Sequence, residues 1–195
     1  MGITGDVLAP DLIHLAVQLT RALEDAAIEY AIGGALALSV WGRPRGTEDI
    51  DIAVFVPETG LERVLAVFRG AGADVDTGIC HWQMKNWRHA EIEFLPFIID
   101  LFVPDFELYD WAHPRRRRVE MGGQLMSFWS AEDVLLFKLL FFRLKDKADI
   151  DSLMRVQREN LDLEYIRKAL REIFADEERS RWFEEEMRDV FGSGA

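Results

Sequence analysis

Apolar residues recur at Leu12, Ile13, Leu15, Ala16, Leu19 and Leu23, three or four positions apart. This spacing predicts an amphipathic helix over residues 10–28, with Asp11 near its start. Tyr30-Ala31-Ile32 reads as a short strand broken at Gly33-Gly34, and residues 35–41 as a short apolar helix ended by Gly42 and Pro44. The period then changes to two. Ile50, Ile52, Val54 and Val56 alternate with Asp49, Asp51, Ala53 and Phe55, which predicts a strand closed by Pro57. Leu61, Val64, Leu65 and Phe68 return to helical spacing over 61–69, with Gly70 and Gly72 at the end. Residues 73–95 read as loose strand. Residues 97–103 are a compact apolar run with one charge, Asp100, and read as a buried strand ended by Pro104.

The second half differs. The arginine run 115–118 leads into 119–128, a hairpin turning at Gly122-Gly123. Ser130 stands three residues before Asp133, a capping box with Asp in the acidic place, so a strongly apolar helix starts there and runs over 134–144. Two or three further helices fill the chain to residue 190, rich in acids at Glu177, Glu178, Glu184, Glu185 and Glu186. The expected class is α+β. A small mixed-sheet head spans residues 1–128, and a helical tail over 129–195 packs on it as one compact unit.

Composition narrows the function. With 195 residues, 49% of them hydrophobic, one core forms without covalent staples. The single cysteine, Cys80, excludes an internal disulfide framework and fits a cytoplasmic location. Four scattered histidines show no zinc-ligand spacing. No apolar run spans a bilayer, and no secretory leader is expected at the N-terminus. A net charge of −12 disfavours a general nucleic-acid coat and suits a small cationic substrate.

The chemistry gathers around Asp49 and Asp51. Side chains at i and i+2 of a strand share a face, so two carboxylates stand together while Ile50 and Ile52 anchor the strand from the other side. Such a pair suits Mg²⁺ or Mn²⁺; taken alone it more often marks a half-exposed strand with an acidic outer face. Asp100, inside an apolar strand, needs a cation, a proton or an arginine. Beside the first two it would complete a metal site and could serve as general base. Gly33-Gly34 allows a phosphate to approach backbone N–H groups, or is simply a tight turn. Arg43 and Arg45 could clamp phosphates, although Arg45 could pair with Glu48 or Asp49; Thr47 could orient the loop. Lys138, among leucines, either snorkels or meets an anion. The mixed-charge stretch with Arg143, Lys145, Asp146, Lys147 and Asp149 is a solvated helix face or a second polar wall of the site.

Taken together, residues 31–38 with Gly33-Gly34, and Arg45-Gly46-Thr47-Glu48-Asp49-Ile50-Asp51, resemble the signature of the polymerase-beta-like nucleotidyltransferase superfamily. The Arg-x-Thr-x-Asp-x-Asp form is most similar to its AbiEii-type branch. Ile98-Ile99-Asp100-Leu101 matches the family's third acid. Lys138, followed by Lys145-Asp146-Lys147-Ala148-Asp149, is similar to its later motifs. The resemblance covers residues 28–154. It implies Asp49, Asp51 and Asp100 as metal ligands or catalytic groups, and a nucleoside triphosphate near Gly33, Gly34, Arg43, Arg45, Thr47 and Lys138. It also implies nucleotidyl transfer to an acceptor hydroxyl on tRNA or a protein, in a toxin–antitoxin setting with a cognate partner. Two alternatives stand beside it: a small-molecule enzyme of the aminoglycoside type, favoured by size and acidity, and a non-catalytic nucleotide-binding antitoxin or regulatory module. The arginine run could meet phosphates, but pairing with the acidic helices is preferred.

Overall fold

The computed structural model describes residues 8–192. The expectation of no secretory leader, and the outer ends of the head and tail ranges, fall partly on residues 1–7 and 193–195, outside the described residues.

Helix α1 (Pro10–Asp25) buries Leu12, Leu15, Ala16, Leu19 and Leu23, the stripe its spacing foretold, and ends three residues early because Ala27 turns to a positive φ. Strand β1 (Tyr30–Ile32) runs into α2 (Gly34–Trp41). Strand β2 (Asp49–Val54) is followed by α3 (Leu61–Gly70). Residues 73–95 are not loose strand. They form α4 (Thr77–Trp87) and only then β3 (His89–Phe94). The helix was concealed because its apolar side chains do not mark its buried face. Ile79, Trp82 and Trp87 are exposed, while Cys80, Gln83 and Met84 are buried. The Asp76 carboxylate caps its start by accepting from Ile79 N–H, and Arg88 closes it in the left-handed region.

Strand β4 (Phe97–Phe102) is half-buried rather than enclosed: Phe97, Ile99 and Leu101 face the core, Asp100 and Phe102 face a cleft, and Ile98 is exposed. Then come α5 (Glu107–Ala112) and the hairpin of β5 (Arg117–Met121) and β6 (Gln124–Phe128). Gly122 and Gly123 both adopt the positive φ that a tight hairpin turn requires. Ser130 caps α6 (Ala131–Phe141) through Asp133 N–H, as expected. Helices α7 (Leu144–Gln157), α8 (Leu163–Ala169), continued by a π turn, and α9 (Glu177–Phe191) complete the described chain.

One six-stranded mixed sheet, in the order β3-β4-β2-β1-β6-β5, supports an α+β architecture. Strand β2 lies parallel to β4 and antiparallel to β1, and β4 is antiparallel to β3. Ile50, Ile52 and Val54 are buried on one face of β2. Helices α6 and α7 pack against α2 and bring the second half of the chain over the cleft that holds Asp51.

Candidate active site

Sheet register sets the geometry. Asp51 pairs with Asp100 across β2 and β4, and Asp100 with Glu91 across β4 and β3. Adjacent strands lie about 4.8 Å apart, so three carboxylates stand in one transverse row with Asp49 two residues along the same face. The row continues toward Gly33, whose N–H donates to Asp51 O at 2.9 Å. Gly34 has φ +53°, and a Cβ there would fall 1.6 Å from Asp51 Oδ2. The Asp51 carboxylate thus occupies the space a side chain at position 34 would need. The first intrahelical bond of α2 is Ala37 N–H to Gly33 O, so the N–H groups of Gly34, Ala35 and Leu36 precede the helical ladder beside that carboxylate.

Burial, followed by the charges of Asp51, Asp49 and Glu91, pushes Asp100 up to about 6, against an opposing pull from His89. Burial also raises Asp51, opposed by the Lys138 charge and reinforced by Asp49. Crowded carboxylates of this kind ask for a cation. The residues fit one: a row of hard oxygen donors on rigid strands, with no Cβ at position 34 to fill the space. Among the described residues, His89, Glu91 and Asp100 offer ligand atoms within 4.8 Å of one another, a geometry able to hold an ion. Thr47 orients the approach to β2, its Oγ1 accepting from Asp49 N–H at 3.2 Å.

The opposite wall is basic. Arg45, Lys138, Arg143 and Lys145 line the cleft together with Asp49, Asp51, Glu91 and Asp100, around about 800 Å³ of space. An alternating ion-pair chain holds three of these cations. Arg45 bonds Asp149 at 3.1 Å, Lys138 bonds Asp149 at 2.8 Å and Asp146 at 3.4 Å, and Arg143 bonds Asp146 at 2.7 Å. Burial works against the charge on Asp146, but the hydrogen bonds from Arg143 and the Lys138 charge hold its carboxyl below the usual value. Asp146 and Asp149 are buried behind the wall and do not line the cleft. They form ion pairs with the cations of the wall. Arg45 finds Asp149, a partner 104 residues away, and not Glu48 or Asp49. Lys138 meets anions rather than snorkelling.

Arg43 is not brought to the site. Its side chain is exposed and absent from the cleft lining, and its backbone N–H donates to Ser152 Oγ. The arginine run is engaged elsewhere: Arg115 with Glu132 at 3.3 Å and over the Tyr165 ring at 3.8 Å, Arg116 with Glu29, and Arg118 with Glu24. Sequence reasoning missed His89, Glu91, Tyr109 and Trp129 as cleft residues. The i, i+2 pair His89 and Glu91 was the available signal, hidden in the stretch read as loose strand. Nothing local marks Tyr109 or Trp129.

Residues 13–187 match the family described as nucleotidyl transferase of unknown function (DUF2204). The chain belongs to that family and is a nucleotidyltransferase. No curated protein matches it. The crystal structure of ANT(2")-Ia in complex with adenylyl-2"-tobramycin is similar over 84% of this chain and 99% of its own, at 14% identity and a TM-score of 0.62. The solution structure of the antibiotic-resistance factor ANT(2'')-Ia covers 89% and 98%, at 14% identity and 0.61. The lincomycin-bound lincosamide antibiotic adenylyltransferase LnuA covers 77% and 99%, at 15% identity and 0.54. At these identities the likeness establishes the fold. Among the described residues no helix is long and apolar enough to cross a membrane.

Proposed function

We propose that this protein binds a nucleoside triphosphate with Mg²⁺ or Mn²⁺ and transfers its nucleotidyl group to a hydroxyl of a small cationic acceptor. One observation carries the reading: an acidic floor and a basic wall face each other in one cleft. Asp49, Asp51 and Asp100 would hold the cation. When bound, it supplies charge neutralisation for the carboxylates and the phosphates alike. Arg45, Lys138, Arg143 and Lys145 bind the phosphates, with the N-terminal N–H groups of α2 beside them. In this reading the head, residues 1–128, supplies the floor, and the helical region, 129–195, supplies most of the wall.

Asp100 takes the proton of the acceptor hydroxyl at its carboxylate. The acceptor oxygen bonds to the α-phosphorus, the bond to the bridging oxygen breaks, and pyrophosphate leaves against the basic wall. The acidic flank of Glu91 meets the acceptor, which favours a cationic molecule. Three arginines of the 115–118 run are held by acids, which removes the main support for a tRNA acceptor. The similar structures named for tobramycin and lincomycin favour the same class.

The test is to incubate the protein with each α-labelled NTP, Mg²⁺ or Mn²⁺, and either an aminoglycoside panel or total tRNA. Labelled small-molecule product with released pyrophosphate is expected. Label in tRNA would overturn the acceptor assignment, and no pyrophosphate in any arm would overturn the catalytic reading.

A further inference from the structure

The cleft has a second, apolar half. It adjoins the charged half through Gly34, Asp51 and Lys138, which line both. Ala53 leaves room beside Asp51, and Phe102, Tyr109, Trp129 and Phe137 form the sides. The rings of Tyr109, Trp129 and Phe137 stand 5.0–6.0 Å apart and are mutually tilted by 40–51°, so they make a corner rather than a closed stack. Trp129 is fixed there by its backbone N–H, which donates to Ile32 O at 3.1 Å, and its indole edge faces Gly33.

Two polar groups in this apolar corner lack a protein partner. Tyr109 is 8% exposed and Trp129 4%, yet neither the phenol O–H nor the indole N–H has a hydrogen-bond partner among the described residues. Neither donor atom is sealed from solvent, and both residues line the cleft. Each is therefore a solvent-reached donor on an otherwise buried side chain, free to bond a ligand without displacing a protein partner. The indole N–H can only donate. Burial, then the Asp105 and Asp51 charges, push the Tyr109 phenol up, so it keeps its proton and can donate as well.

We propose that this apolar half is the slot for the nucleobase of the triphosphate, with Tyr109 and Trp129 as its hydrogen-bond donors. A flat ring with acceptor atoms on its edge and an anionic tail matches both halves: the tail lies in the charged half, and the ring stacks in the corner. Aromatic walls hold bases by their π-faces, and edge donors add discrimination. The inference rests on the nucleotidyltransferase reading of the charged half.

The test is calorimetry on the whole protein with Mg²⁺, titrating the four NTPs, ribose 5′-triphosphate and inorganic tripolyphosphate. In the wild type at least one NTP binds about tenfold or more tighter than ribose 5′-triphosphate, which lacks the base. Tyr109→Phe keeps the ring and removes the donor; Trp129→Phe removes the donor and keeps a smaller aromatic wall. Each lowers affinity for the preferred NTP about three- to tenfold and leaves tripolyphosphate binding unchanged. If wild-type protein binds ribose 5′-triphosphate as tightly as every NTP, the slot does not take the base; that comparison needs no variant to fold. If the variants change the acceptor's KM and not NTP affinity, the slot belongs to the acceptor and the proposal is wrong. If neither tripolyphosphate nor any NTP binds with metal, the reading of the charged half fails and this inference falls with it.

Discussion

Replacing Gly34 by alanine puts a methyl group where the Asp51 carboxylate stands. The new Cβ would lie 1.6 Å from Oδ2 and 2.3 Å from Cγ of Asp51, so the aspartate must leave its rotamer. Two costs add. An L side chain in the left-handed region, at φ +53°, costs about 1–2 kcal/mol. Forcing a short side chain out of a packed position costs about 1–3 kcal/mol more. Urea unfolding in metal-free buffer should therefore show a loss of about 3 kcal/mol. A double-mutant cycle separates the terms. With Asp51→Ala in place, Gly34→Ala should cost only the backbone share of about 1–2 kcal/mol. The single variant should also bind Mn²⁺ more weakly, although every carboxylate remains in the chain. An equal cost with and without Asp51 would show that the clash is not what makes glycine necessary there.

Asp100→Asn should stop transfer while leaving metal-free protein slightly more stable at pH 7. The folded protein raises this carboxyl from 3.8 to about 6, so its favourable contribution is complete below about pH 4 and is lost as pH rises through about 6. The full shift corresponds to about 3 kcal/mol, and solvent screening at a partly exposed group reduces this to about 1 kcal/mol. Melts from pH 4 to 7 should show a shallower decline in the variant than in wild type; a destabilised variant would instead mark Asp100 as a structural ion-pair member. Lys138→Met should cost about 3 kcal/mol, because Asp146 and Asp149 stay buried with one cation fewer. It should also weaken tripolyphosphate binding, and unchanged urea unfolding would show that Lys138 does not hold the wall together.

Much of the charged half could be seen in the chain before any fold was known. The i, i+2 spacing of Asp49 and Asp51 puts both carboxylates on one face of any strand they occupy, and Gly33-Gly34 marks a turn that only small residues allow. The Ser130 cap and the stripe of α1 are equally local. Helix α4 escaped because amphipathic reasoning assumes apolar residues face inward, and its tryptophans face out.

The residue order alone determined which side chains share a face within one element, since backbone geometry repeats every two or 3.6 residues whatever surrounds it. Tertiary structure decided everything that depends on distance across the chain. The parallel register of β2 and β4 set Asp100 beside Asp51. Packing of α6 and α7 turned Asp146 and Asp149 from candidate wall residues into buried counter-ions for Arg45, Lys138 and Arg143. It also left Arg43 outside the cleft and brought Tyr109 and Trp129 into it. A charge buried by folding takes the partner that packing delivers, because the cost of leaving it unpaired exceeds any local preference for a neighbour in sequence.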